Sequence, residues 1–141
     1  MDEQLRSASV FLIEDHTPDV FLIEKALMDS GVSCHVTRCS DGEQALVTLG
    51  MVRLKPEAHP KLVLLDLNLP IVGGMDVLRA IRQDPALADL PVVVLTSSEA
   101  PRDREEAMML GAARFITKPP ELRAYMDTIG GVARDFLASP P

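Results

Sequence analysis

The sequence predicts an α/β fold in which five parallel strands form one open sheet with five helices packed on its two faces. Three observations predict it. Short apolar runs alternate with longer segments of helical period, as in strand–helix–strand folds. The runs are apolar throughout rather than at every second position, as expected of strands buried on both faces. The alternation recurs along 141 residues, a length that suits one domain with a core of its own.

The first run, Val10–Ile13, ends in Glu14-Asp15. Thr17-Pro18 then starts a helix carrying Val20, Ile23 and Leu27 at helical spacing, and Gly31 suits its stop. His35–Cys39 reads as the second strand. Ser40-Asp41-Gly42 turns into a second helix reaching Leu49, and Met51 to Pro60 reads as a frayed helix end and a loop. Leu62–Leu65 is the third run and ends at Asp66. A loop, Asn68 to Gly74, leads to a helix around Met75 to Arg82. Pro91–Leu95 is the fourth run, ending at Thr96; a helix from about Arg102 to Leu110 follows and stops at Gly111. Phe115-Ile116 lies in a short fifth strand before Lys118-Pro119, and a helix from about Glu121 to Leu137 closes the chain. No internal repeat or low-complexity linker occurs, so residues 1–141 are expected to form a single domain with its core at about 9–138.

Composition narrows the function. Hydrophobic residues make up 47% and charged residues 25%, as in ordinary soluble proteins. No apolar run approaches the roughly 20 residues that cross a bilayer, and Met1 to Arg6 lacks the features of a secretory signal. A cytoplasmic address without membrane contact is expected. The net charge of −7, from 14 basic against 21 acidic residues with no basic cluster, argues against nucleic-acid binding. The acidity fits either plain solubility or a clustered pocket that holds a cation. Cys34 and Cys39 have an odd separation on one strand, so their side chains point to opposite faces and no disulfide is expected. No Cys/His spacing suggests zinc.

The informative residues sit at the strand ends: Glu14-Asp15, Asp66, Thr96 and Lys118. In a parallel sheet these ends share one rim, where ligands bind. Polar residues at strand ends are often mere loop starts, but four matched ends are harder to dismiss. Carboxylates held close repel one another, and Mg²⁺ with its preference for oxygen ligands relieves this. Asp66 can serve as a carboxylate nucleophile, Lys118 as a point charge for a phosphoryl group, and Thr96 as a hydrogen-bond donor to it. The set reads as phosphoryl transfer run by positioning and charge neutralisation.

These residues, with Leu65–Pro70 and Gly73-Gly74, resemble the receiver domain of bacterial response regulators over almost the whole chain. The resemblance implies the flavodoxin-like strand order and phosphorylation of Asp66 by a sensor histidine kinase in a Mg²⁺-dependent reaction. It implies Mg²⁺ ligation by Asp15 and Asp66 directly, by Glu14 through water and by the backbone carbonyl of Asn68. Thr96 and Lys118 would contact the phosphoryl group. Phe115 would turn inward as the Thr96 hydroxyl moves toward it, although a plain core aromatic is the simpler reading. Glu14-Asp15 replaces the commoner Asp-Asp, and Phe115 excludes a switch through a tyrosine hydroxyl. His16 reads as a rim residue rather than a base, and Ser97 and Ser98 as tuning contacts.

Phe21–Leu27, the Met51–Pro60 connection, Asp66–Pro70 and Val93–Ser98 are similar to single-domain regulators partnered with phytochrome-type kinases. No output domain is expected, so the signal would leave through a protein surface, to a downstream target or phosphotransfer partner. The fourth helix, fifth strand and last helix form the expected surface. In the last helix Leu122, Met126, Ile129, Ala133 and Phe136 form a sheet-packing stripe, which Tyr125, Val132 and Leu137 widen; that extra width predicts a homodimer. Apart from slow autodephosphorylation, no enzyme activity is expected. One rival is a haloacid-dehalogenase-type phosphohydrolase, but Asn68 stands where those enzymes resemble one another in carrying a second Asp. The other is a receiver-like interaction module that takes no phosphate, against which the complete acidic set argues.

Overall fold

The computed structural model describes residues 8–138. The N-terminal stretch read for a secretory signal, Met1 to Arg6, lies outside the described residues. The strands are β1 (Ala8–Ile13), β2 (Cys34–Cys39), β3 (Leu62–Leu65), β4 (Val92–Thr96) and β5 (Arg114–Thr117). The helices are α1 (Thr17–Asp29), α2 (Gly42–Val52), α3 (Gly74–Gln83), α4 (Pro101–Met109) and α5 (Leu122–Leu137). The segment between α2 and β3, expected to be a loop, contains one 3₁₀ turn at Pro56–Ala58.

All strand pairs are parallel, in the order β2-β1-β3-β4-β5. The central strands β3 and β4 are buried at every position, which is why their sequences do not alternate. At the edge β2 is less buried, and its burial alternates along much of its length. Alternate residues of β1 face opposite sides. Phe11 and Ile13 join a core with Val63, Leu65, Val92 and Val94 under α2, α3 and α4. Val10 and Leu12 join a second core with Leu62, Leu64, Val93 and Leu95 under α1 and α5. Cys34 packs toward the second core and Cys39 toward the first, and both are free thiols.

Local sequence sets the helix ends. Pro18 starts α1, and Gly31 follows its cap at φ 85°, a backbone angle that side chains rarely adopt. Asp41 caps α2 by accepting from the Gln44 N–H at 2.7 Å, while Gln44 Oε1 reaches back to the Ser40 N–H at 2.6 Å. Gly111 closes the α4 turn, also at φ 85°.

The expected stripe of α5 needs correction. Tyr125, Ile129, Val132, Ala133 and Leu137 are the buried side chains, with Gly130 buried beside them, and Leu122 is 60% exposed. Residues 125, 129, 132 and 133 follow the spacing of one helical face, so Tyr125, Val132 and Leu137 are core and do not widen the stripe toward solvent. That width therefore carries no argument for a dimer.

Candidate functional site

The chain order reverses between β1 and β3, and a parallel sheet opens there at its carboxyl edge. The register pairs Ile13 with Leu65, so the residues that follow them, Glu14 and Asp66, emerge side by side. The Asp66 N–H donates to the Ile13 carbonyl at 3.1 Å and the Glu14 N–H to the Cys39 carbonyl at 3.0 Å, which fixes both backbones. On the other side Thr96 pairs with Thr117, and the Lys118 N–H donates to the Thr96 carbonyl at 2.7 Å.

These backbones bring Glu14, Asp66, Thr96 and Lys118 to one rim. Glu14, Asp66 and Thr96 are buried, and Asp15 is exposed. Lys118 lies across the carboxylates: its ammonium donates to Glu14 Oε1 at 2.7 Å and to Asp66 Oδ2 at 3.2 Å. The Asn68 N–H donates to Asp66 Oδ1 at 3.1 Å, so both oxygens of Asp66 are oriented. Thr96 Oγ1 accepts from the Ser98 N–H at 3.3 Å, which leaves its O–H to serve as a donor. Ser98 Oγ in turn donates to Asp103 Oδ2 at 2.6 Å and ties this loop to α4.

Glycine makes the close approach possible. A Cβ at Gly74 would collide with the carbonyl oxygen of Asp66, and one at Gly42 with that of Val72. The start of α3 is thereby packed directly against the backbone of Asp66.

Electrostatics set the character of the rim. Burial pushes the Glu14 carboxyl up to about 7; the Lys118 hydrogen bond opposes this and the charge of Asp66 adds to it. Burial alone would lower Lys118, but its hydrogen bond to Glu14 and the charges of Asp66 and Glu14 outweigh it and keep the ammonium protonated. One oxygen each from Glu14, Asp15 and Asp66 lies within 4.8 Å of the others. A set of hard oxygen donors at this spacing fits a small divalent cation.

Phe115 is buried in the core beneath α3 and α4, with the Arg104 guanidinium 5.7 Å from its ring centroid. Ser97 is exposed, and His16 is an exposed rim residue. Two residues at the rim were not expected from sequence. Asp19 accepts from Lys118 Nζ at 3.1 Å, and the Tyr125 hydroxyl donates to Asp19 at 2.7 Å. Asp19 reads in sequence as an acid placed in a helix's first turn, a common pairing with the helix dipole; Tyr125 reads in sequence only as one of the apolar positions that widen the last helix's stripe.

The response regulator receiver domain profile matches residues 10–129. The chain belongs to the response regulator receiver family. Within that family it is 32% identical over 137 residues to the response regulator Rcp1 of Synechocystis sp., spanning 96% of this chain and 93% of that protein. The Mn²⁺-bound structure of Rcp1 superposes with a TM-score of 0.85 at 31% identity, covering 95% of this chain and 97% of the other. The structure of phosphorylated RcpA, a cyanobacterial phytochrome response regulator, gives a TM-score of 0.83 at 33% identity over 96% and 97% of the two chains. The polar-differentiation response regulator DivK of Brucella ovis is 30% identical over 121 residues, 86% of this chain and 92% of that one. The receiver is thus a phosphoryl-accepting response regulator. Among its described residues no helix is long and apolar enough to cross a membrane.

Proposed function

We propose that this receiver takes its phosphoryl group on Asp66 from the phosphohistidine of a sensor kinase. The observation that carries the reading is the placement of Asp66. Asp66 is 5% exposed, and its carboxylate lies 3.2 Å from the Lys118 ammonium and shares a rim with Glu14 and Asp15. A phosphorus atom arriving there meets a nucleophile, a fixed positive charge and a candidate cation site together.

In the transfer an Asp66 oxygen attacks phosphorus as the P–N bond of the donor breaks, and the bonding pair returns to the imidazole nitrogen. Glu14, Asp15, Asp66 and the Asn68 backbone carbonyl are the proposed holders of Mg²⁺, which would neutralise charge on the phosphoryl oxygens. Lys118 takes one phosphoryl oxygen and the Thr96 hydroxyl donates to another. Movement of Thr96 toward the phosphoryl group would open space toward Phe115, making this pair the switch. Water attacking in line would return Asp66 to its free form, and beyond this slow loss the chain acts as a signal carrier rather than an enzyme.

The similarity to a phytochrome response regulator supports a phytochrome-type kinase as donor, and membership of the receiver family suits a cytoplasmic address. We read the chain as a single receiver domain that signals through α4, β5 and α5 to a downstream protein or phosphotransfer partner. Exposed Met108, Met109 and Leu122 on that side also suit a homodimer. Nucleic acid is no part of this reading, given the charge of −7.

The test is incubation with Mg²⁺ and acetyl phosphate followed by intact mass, for the wild type and Asp66→Asn. One added phosphoryl mass that needs Mg²⁺ and vanishes in the variant is expected. An adduct that persists in Asp66→Asn would place the chemistry elsewhere.

A further inference from the structure

Lys118 is a flexible side chain with three N–H donors, and in this fold it meets three carboxylates: Glu14, Asp66 and Asp19. Two of these belong to the candidate cation group of Glu14, Asp15 and Asp66. A cation or a phosphoryl group therefore competes with Lys118 for Glu14 and Asp66. Asp19 stands outside that group, so it is the one anchor of the ammonium that the chemistry leaves in place.

Asp19 is itself held. It lies in the first turn of α1. Its Oδ2 faces Lys118 Nζ at 3.1 Å and His16 Nδ1 at 2.7 Å, while its Oδ1 accepts from the Tyr125 hydroxyl at 2.7 Å. Bonds to both oxygens fix the plane of the carboxylate. Tyr125 is 5% exposed on the sheet side of α5, so its ring is fixed by packing and its hydroxyl has little freedom. Tyr125 and Asp19 are 106 residues apart, and their bond closes the gap between α1 and α5 beside the rim. Burial acts to raise the Asp19 carboxyl, but the bonds from Tyr125 and Lys118 outweigh it and keep it ionised.

We propose that Asp19 is a positioning residue for Lys118, clamped by the Tyr125 hydroxyl, and that Tyr125 senses the occupancy of the rim through it. The proposal rests on Asp66 being the phosphoryl acceptor. When Lys118 also donates to a phosphoryl oxygen it keeps Asp19 as its anchor but shares its charge, so Asp19 leans more on Tyr125 and His16. The hydroxyl of Tyr125 then experiences a different acceptor. This route runs through the core under α1 and α5, on the opposite side of the sheet from Phe115.

The chain contains one tyrosine and no tryptophan, so its ultraviolet emission is that of Tyr125 alone. A phenol bonded to a carboxylate emits weakly, which makes the Asp19 bond directly visible. The experiment uses the full chain, its Tyr125→Phe and Asp19→Asn variants, and the double variant. Initial rates of phosphoryl uptake from acetyl phosphate are measured against donor and Mg²⁺ concentration. Tyr125→Phe keeps the ring and removes only the hydroxyl. It is expected to lower the maximal rate about fivefold with the donor and Mg²⁺ half-saturation points unchanged, since misplacing a positioned group costs rate rather than binding. Asp19→Asn is expected to lose about tenfold, and the double variant no more than Asp19→Asn, because both act through one contact. Tyrosine emission is expected to change when Mg²⁺ and beryllium fluoride are added to the wild type, and to start brighter and stay constant in Asp19→Asn.

A wild-type maximal rate in Tyr125→Phe, additive losses in the double variant, or wild-type emission indifferent to beryllium fluoride would each overturn the positioning role. A wild type that takes up no phosphoryl group would instead remove Asp66 as acceptor, and this proposal with it.

Discussion

The Lys118 ammonium lies 2.7 Å from Glu14 Oε1, although 104 residues separate the two in the chain. The pair closes the sheet's carboxyl rim from β1 to the end of β5, and it does so beside a second acid, Asp66, 3.2 Å from the same nitrogen. Buried negative charge thus exceeds buried positive charge at this point, and the balance shifts with pH and with metal.

Glu14 sets the first expectation. Its carboxyl stands at about 7 in the folded chain against 4.5 as its ordinary value. Between those values the folded state holds a proton that the unfolded state has lost. The stabilisation is therefore full below the ordinary value and disappears as pH rises through about 7. In EDTA, urea denaturation of the wild type relative to Glu14→Gln should show up to about 3 kcal/mol lost between pH 5 and 7.5. Mg²⁺ should reduce that loss, and its affinity should fall as pH drops below 7, because Glu14, a proposed ligand, must give up its proton. A pH dependence identical in the wild type and Glu14→Gln would show that Glu14 is ionised throughout.

Lys118→Met should act most strongly where the acids are ionised. It leaves Glu14, Asp19 and Asp66 without their shared ammonium, a change of about 3 kcal/mol at pH 7.5. At pH 5 protonated Glu14 softens the effect. Added Mg²⁺ should restore part of the stability without restoring phosphoryl uptake. Equal losses at both pH values, read from urea midpoints, would argue against an electrostatic origin.

Gly74→Ala should disturb the proposed acceptor, Asp66, from behind. The added methyl meets the Asp66 carbonyl, which belongs to backbone and cannot swing aside. A loss of about 2–3 kcal/mol is expected, with a lower rate of phosphoryl uptake in the folded fraction. Gly50→Ala, where a Cβ meets nothing within 4 Å, serves as the comparison and should not be destabilised. Thermal melts and uptake rates of the two variants decide the matter.

Ile71 occupies a conformation that suits it poorly. Its φ is 71°, and it is the only non-glycine residue with a positive φ among the described residues. A β-branched side chain in this region costs about 1–2 kcal/mol. It is also 74% exposed, so little packing is lost on replacement. Ile71→Asn should raise stability by about 1 kcal/mol in urea denaturation, since asparagine tolerates left-handed backbone. An unchanged or lower midpoint would mean that the loop does not hold this angle in solution.

Much of this was legible in the chain itself. Leu62–Leu65 and residues 92–95 are buried on both sides and therefore spell out unbroken apolar runs. The rim residues Glu14, Asp66, Thr96 and Lys118 were readable because parallel strands bring their ends together whatever the loops do. The facing of α5 was harder. Its apolar residues outnumber what one stripe needs, and only the sheet decides that Tyr125, Val132 and Leu137 point inward while Leu122 points out. Asp19 and Tyr125 were invisible for a different reason. Each has an ordinary local explanation, and their significance lies in a contact across 106 residues that no local pattern encodes.

The five strands separate two hydrophobic clusters, with Phe115 in one and Tyr125 in the other. A disturbance at the rim can therefore be heard in two rooms that share a wall. Side chains on one face can be exchanged to suit a new listener while the opposite face keeps its own audience, so the division of the core gives such a small protein room to diversify.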